Sequence, residues 1–331
     1  MTKQSVWTLA ELDHKGELDP VSFEMTARAQ NLDAEIHVLL FAPEGVSDET
    51  LAPLFHHGAD EVLLLENDAF TFFQADVWGR LFADVARKEN MNVFLAPADT
   101  LGRTLLPYAA MLLHTGLTAD CTALALDSET GILDQTRPAV GGDIMATIRC
   151  EAHRPQMATI RPRSTAVPAP DMSRTGKIRR CRVTLDGKAL QTQLVSFTPA
   201  PAELSLAAAD KVVVVGRGIK RPENLPAIKE FADSIGAALG ATREAVDRNW
   251  LPYSCQIGLS GRTIAPKLYI GLGVSGAIQH LIGMRTAETI VAVNKDPDAP
   301  IFKVADFGIA GDCMELLPHL KSILSGKGGV R

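Results

Sequence analysis

The sequence predicts an α/β protein made of two doubly wound parallel-sheet domains, and three observations predict it. Short β-rich runs alternate with helical stretches through the first 114 residues, a βαβ rhythm that covers both faces of a parallel sheet with helices. The run KVVVVGRG at 211–218 restarts that rhythm with a buried strand stopped by glycines. Between the two lies a stretch rich in Pro and Ala, SFTPAPAELSLAAAD at 196–210, and 331 residues suit two domains at about 150 residues each. Residues 1–196 are expected to form an N-terminal α/β domain, 197–209 a linker or hinge, and 210–331 a C-terminal α/β domain, both Rossmann-like.

In chain order, SVWTLAEL, EIHVLLFAP, EVLLLEN and NVFLAPAD read as strands, followed respectively by helices over 20–30, 49–56, 74–88 and 102–114. From 118 to 162 the helical period disappears. TADCTALALD, IMATIRC and PQMATIRP then read as successive strands that extend or flank the same sheet. The basic run from Arg161 to Arg182 has no interleaved aromatic residues to stack bases, so it reads as a solvated loop or a partner-facing surface. In the second domain ENLPAIKEFADSIGAAL reads as a helix. KLYIGLGV, TIVAVN and FKVADFGI read as strands, and 312–324 as a closing helix.

Composition excludes several classes. A net charge of −6 offers no electrostatic footprint for a nucleic acid backbone. With 46% hydrophobic and 22% charged residues the chain is not predominantly disordered, and its longest apolar runs fall far short of the ~20 residues of a membrane helix. The opening MTKQSVWTLAELD lacks the basic and then apolar layout of a signal peptide, so a cytoplasmic location is expected. Five cysteines, at 121, 150, 181, 255 and 313, include no C-x-x-C pair and are expected to be isolated reduced thiols rather than ligands of zinc or an iron–sulfur cluster.

In open α/β sheets a ligand lies beyond the carboxyl ends of the strands, so the residues that follow each strand carry the functional signal. The first strand of the second domain ends in Gly216-Arg217-Gly218, where glycines allow close backbone approach and Arg217 offers a forked cation suited to phosphate. KLYIGLGV continues into G-x-G-x-x-G at Gly271, Gly273 and Gly276, with a helix expected to start at Ser275 and to present free N–H groups to a pyrophosphate. Helix–strand packing selects the same glycines. The acid that a nicotinamide site places at the end of the next strand is Asn294 here, which favours a different adenine dinucleotide. The polar stretch between 237 and 266 holds Thr242, Arg243, Gln256, Ser260 and Arg262 and reads as a functional loop.

GRGIK, ATREAVD, QIGLSGRTIAPKLYIGLGVSGAIQHLIGM, TIVAVNKDPDAPIF and KVADFGIAGD, in this order, resemble the alpha subunit of electron-transfer flavoproteins, and the likeness extends over essentially the whole chain. The resemblance implies one FAD in the second domain. Its contacts would come from Arg217, Thr242, Arg243, Gln256, Ile257, Gly258, Leu259, Ser260, Gly261, Ser275, Gly276, Ala277, Ile278, Gln279, His280, Asn294 and Asp312. Arg243 would lie against the isoalloxazine, Ser260 would face flavin N5, His280 would reach the C2 carbonyl, and Asn294 and Asp312 would hold the adenosine end. No catalytic residue and no metal are implied.

The implied partners are a beta subunit carrying a second FAD or AMP and a flavoprotein dehydrogenase of the acyl-CoA type. Many relatives read Q-T-G-K where this chain has Leu259-Ser260-Gly261-Arg262, so any contact by Leu259 would come from its backbone. TGLTADCT at 115–122 resembles the form found in members that bifurcate electrons from NADH. An ordinary non-bifurcating carrier, a nicotinamide-binding oxidoreductase and an adenine-nucleotide-binding regulatory protein are the alternatives.

Overall fold

The computed structural model describes residues 4–139, 144–185, 194–197, 206 and 209–324, and the chain divides into two units, Met1–Phe197 and Thr198–Arg331. In the first unit β1 (Ser5–Ala10), α1 (Val21–Gln30), β2 (Glu35–Ala42), α2 (Asp48–His56), β3 (Glu61–Glu66), α3 (Ala75–Lys88), β4 (Val93–Pro97) and α4 (Thr100–Leu113) follow the expected alternation. Next come β5 (Leu117–Cys121), β6 (Ala123–Leu126), β7 (Leu133–Ala139), β8 (Ile144–Ile148), β9 (Gln156–Ile160) and β10 (Lys177–Arg182). The main sheet runs β10-β3-β2-β1-β4-β9-β5 with every pair parallel.

Side chains alternate across a strand, so a sheet covered on both faces needs apolar residues at consecutive positions. Trp7, Leu9, Leu39, Phe41, Leu63 and Leu65 pack on one face against Trp78 and Phe82 of α3 and Leu105 and Leu106 of α4. On the other face Val38, Leu40, Val62 and Leu64 meet Leu51, Leu54 and Phe55 of α2, while Val6 and Ile36 meet Met25 and Ala29 of α1. Two helices are started by side chains that accept an otherwise orphaned N–H: Ser47 from Thr50 at 3.2 Å and Asp99 from Gly102 at 2.8 Å.

Two expectations for this unit need correction. TADCTALALD is not one strand. It splits into β5 in the main sheet and β6, which joins β7 and β8 in a separate antiparallel sheet of order β6-β7-β8. The basic run is not simply a solvated loop, because its last third forms β10 along the edge of β3. Ion pairs in place of apolar alternation hold that strand. Arg179 binds Glu61 and Glu89, and Arg180 binds Glu66 at 2.9 Å and also Asp48.

The second unit contains β11 (Lys211–Val215), α5 (Leu225–Ser234), β12 (Ala238–Ala241), α6 (Arg243–Asp247), β13 (Leu268–Leu272), α7 (Ile278–Leu281), β14 (Thr289–Asn294), β15 (Phe307–Ala310) and α8 (Cys313–Leu324). Its sheet is wholly parallel in the order β12-β11-β13-β14-β15, a doubly wound arrangement around the valines of β11, Phe231 of α5 and Tyr269 of β13. The helix expected over 223–239 stops at Ser234, because Gly236 turns the chain at φ +65° and the small residues after it enter the sheet as β12. Consequently the expected loop over 237–266 contains a strand and a short helix. The strand expected over FKVADFGI begins only at Phe307, after a 3-10 turn over Pro300–Lys303. Of the proposed linker, 198–205, 207 and 208 lie outside the described residues.

Candidate functional site

Because every strand of the second sheet points the same way, their carboxyl ends gather along one edge. The connections run in opposite directions from β11 and β13, so a crevice opens between the loops that follow these two neighbours. The loops meet backbone to backbone. A Cβ on Gly216 would lie 2.2 Å from the Gly273 oxygen, and one on Gly218 would lie 2.6 Å from the Gly273 Cα. Gly273 itself has φ +65°. Gly276, at φ +83°, leaves no room beside the backbone of Ile301, where a Cβ would stand 2.2 Å from nitrogen. Gly271 differs, since it makes space for the ring of Tyr269. The glycines of the G-x-G-x-x-G run therefore serve loop-to-loop and ring packing.

A cavity of about 590 Å³ occupies this edge. Thirteen of the seventeen residues expected to form the site line it: Arg217, Thr242, Arg243, Gln256, Ile257, Gly258, Leu259, Ser260, Ser275, Ala277, Gln279, His280 and Asn294. Gly261, Gly276, Ile278 and Asp312 do not, and Asp312 instead lines a neighbouring cavity with Lys220 and Arg221. Gly216, Gly218 and Gly273, read from the sequence as strand-end glycines that allow close approach, also line it, whereas Glu244, Asp247, Asp296, Ala299 and Pro300 were missed. Of the missed residues Asp296 follows a strand end closely, and that rule could have found it.

The helix expected from Ser275 starts at Ile278 and is a single turn, so no macrodipole of any length stands behind this site. Ser275, Gly276 and Ala277 lie ahead of it, Gly276 in left-handed and Ala277 in extended backbone, and their N–H groups have no acceptor among the described residues. Asn294 staples the wall: its Nδ2 donates to the Val274 carbonyl at 2.8 Å, and its Oδ1 accepts from the Asp296 N–H at 3.0 Å. The Gln256 amide donates to the Ser260 hydroxyl at 3.0 Å. Leu259 exposes its side chain, 65%, and gives its N–H to the Gln279 carbonyl. The Arg262 guanidinium turns to the carbonyl of Ser254 at 2.9 Å.

Charges at the rim come in pairs. Arg217 meets Glu244 at 3.0 Å and Arg243 meets Asp247 at 3.4 Å, both largely exposed. Asp312 accepts from Lys295 at 2.8 Å and Lys220 at 3.2 Å and also caps α8 through the Met314 N–H, which together hold its carboxyl well below the ordinary range.

His280 departs from the expected donor role. It is 6% exposed, its Nδ1 lies 3.0 Å from the Ile257 carbonyl oxygen, and its Nε2 lies 2.8 Å from the Tyr269 hydroxyl. Burial pushes its pKa down to about 4, so at neutral pH it is an uncharged ring with both nitrogens engaged inside the protein.

Comparison with known proteins gives the arrangement a context. The family model for the electron transfer flavoprotein domain matches residues 6–186, and that for the electron transfer flavoprotein FAD-binding domain matches 205–285. The chain is 41% identical to an electron transfer flavoprotein subunit alpha of Thermoanaerobacterium thermosaccharolyticum over 320 residues, 96% of each chain. It is 38% identical to the subunit alpha of Megasphaera elsdenii over 335 residues, covering 99% of this chain and 98% of the other. It is also 37% identical to Protein FixB of Clostridium saccharobutylicum over 330 residues, 98% of each.

Proposed function

Because the chain belongs to the electron transfer flavoprotein alpha-subunit family and FAD is its cofactor, we propose that the switch-point cavity holds that FAD and that the chain passes electrons between a beta-subunit partner and a flavoprotein dehydrogenase. The observation that carries this reading is the pair of unengaged N–H groups at Ser275 and Ala277, which line a glycine-walled crevice beside Arg217. These donors fit a pyrophosphate, and Glu244 can release Arg217 to it. Bound FAD supplies one- and two-electron redox chemistry. The protein's part is to hold it: Ser260 presents a hydroxyl fixed by Gln256, Asn294 keeps the β13 and β14 loops together, and Arg243 sets a positive potential at the rim.

The first unit is read as the surface that meets the beta subunit, and the dehydrogenase as the acyl-CoA type; both rest on the family resemblance. The finer reading, NADH-dependent bifurcation with a second FAD on the beta subunit, rests on the resemblance of TGLTADCT alone. Its residues have a sufficient structural use, since Asp120 accepts from Arg161 at 2.6 Å and Cys121 is buried within β5. Co-purification with the neighbouring beta subunit, followed by flavin counting and mixing with NADH, tests all of this. A 1:1 complex with FAD in this chain supports the reading, and a flavin-free chain in a folded complex overturns it. Two FAD with NADH oxidation identifies a bifurcating complex. One FAD, AMP on the beta subunit and no NADH oxidation identifies an ordinary carrier.

A further inference from the structure

Tyr269 sits inside the core of the second unit, its side chain fully buried on β13 and absent from the cavity wall. Its hydroxyl lies 2.8 Å from Nε2 of His280, whose Nδ1 lies 3.0 Å from the Ile257 carbonyl oxygen. A carbonyl can only accept, so Nδ1 carries the proton; the neutral ring then has a lone pair on Nε2, and the Tyr269 O–H donates to it. The hydrogen bonds therefore run in one direction, from Tyr269 through His280 to Ile257. Beyond Ile257 the chain becomes cavity wall at Gly258, Leu259 and Ser260, and the Leu259 N–H ties that wall to the Gln279 carbonyl at 2.7 Å. The fold reserves space for this device. A Cβ at residue 271 would stand 3.0 Å from Tyr269 Cε1 and 3.3 Å from its hydroxyl oxygen.

We propose that Tyr269 is a positioning residue for the cavity: by donating to Nε2 it anchors the His280 ring, whose tautomer the Ile257 carbonyl selects, and through that carbonyl it sets the place of the 257–260 wall. The proposal rests on the reading of that cavity as the FAD site. Without the hydroxyl, Nε2 is a buried acceptor with no partner, and the ring that donates to the Ile257 carbonyl is held from one side only.

The test uses the complex of this chain with its beta subunit, labelled with 15N at histidine, with the His280 signals assigned by their loss in His280→Gln. Two-bond proton–nitrogen correlations are expected to show a protonated Nδ1 and an unprotonated Nε2. In Tyr269→Phe the Nδ1–H tautomer is expected to persist, the Nε2 resonance to move downfield as it loses its donor, and FAD binding to weaken about fivefold to tenfold. A protonated Nε2 in the unaltered protein overturns the proposal, and so does a folded Tyr269→Phe with unchanged FAD affinity. If Tyr269→Phe does not fold, the tautomer of the unaltered protein decides. Failure of that unaltered complex to bind FAD refutes the functional reading, while the tautomer measurement still judges the hydrogen-bond chain on its own.

Discussion

Glu11, just past the end of β1, keeps a proton that an ordinary glutamate has lost at neutral pH. Burial first, and then the charge of Asp99, push its pKa up to about 9 from the usual 4.5. Between those values the folded chain holds a proton that the unfolded chain has released, so stability is fully present below the lower value and declines as pH rises toward the upper one. Glu11→Gln keeps a donor toward Asp99 and cannot ionise; we expect it to flatten that decline, read as urea midpoints across the window. At the cavity rim, the sign of the potential gives a paired prediction. Arg243→Ala should lower the flavin midpoint potential and Asp247→Asn should raise it, each by about 10–40 mV, since exposed pairs contribute about 0.2–1 kcal/mol. A spectroelectrochemical titration checks both, and shifts of the same sign would refute the arrangement. At this scale the sequence is legible where a side chain's place on the cavity wall follows from its distance to a strand end, as for Arg217 and Ser275. It is illegible where tertiary partners decide, as for the neutral ring of His280 and the bond of the Arg262 guanidinium to the Ser254 carbonyl.

Among elements, the glycine contact between the β11 and β13 loops leaves no room for a side chain. Gly273→Ala would combine a positive φ with a Cβ 2.6 Å from the Gly218 backbone, and we expect a loss of about 1–3 kcal/mol together with loss of FAD binding, measured by denaturation and flavin titration. Strand β10 gives a second comparison. Arg180→Ala leaves the buried Glu66 without its guanidinium and should cost about 1–3 kcal/mol, whereas Arg182→Ala breaks only an exposed pair with Glu44 and should cost less than about 1 kcal/mol. Apolar strands such as β2 and β11 were legible because burial on both faces demands continuous hydrophobic residues. Strands β10 and β12 were not, because ion pairs hold one and small residues packed under Ile257 form the other. The three antiparallel strands were only partly legible, since nothing local in TADCTALALD marks where the chain leaves one sheet for another.

For the whole molecule, two doubly wound units were legible from the repeated βαβ rhythm, and the cavity followed from the order β12-β11-β13-β14-β15 once the crossover direction was known. FAD at about a hundred times its dissociation constant should stabilise the second unit by about 2.7 kcal/mol. Hydrogen exchange should therefore slow across β11 to β15 and stay unchanged in β1 to β4; slowing spread evenly over both would place the ligand elsewhere. The edge strand β10 has a further consequence. It is the last strand of its sheet to be made, yet it lies beside β3, made more than a hundred residues earlier, and joins it at Lys177–Arg182. While the ribosome is still translating the intervening stretch, the growing chain carries a parallel edge with unpaired backbone groups, apolar from Val62 to Leu65 and flanked by the unpaired acids Glu61 and Glu66. The sheet closes only when the basic strand emerges from the exit tunnel, so this first unit depends on protection of its nascent edge for longer than a sheet completed in chain order.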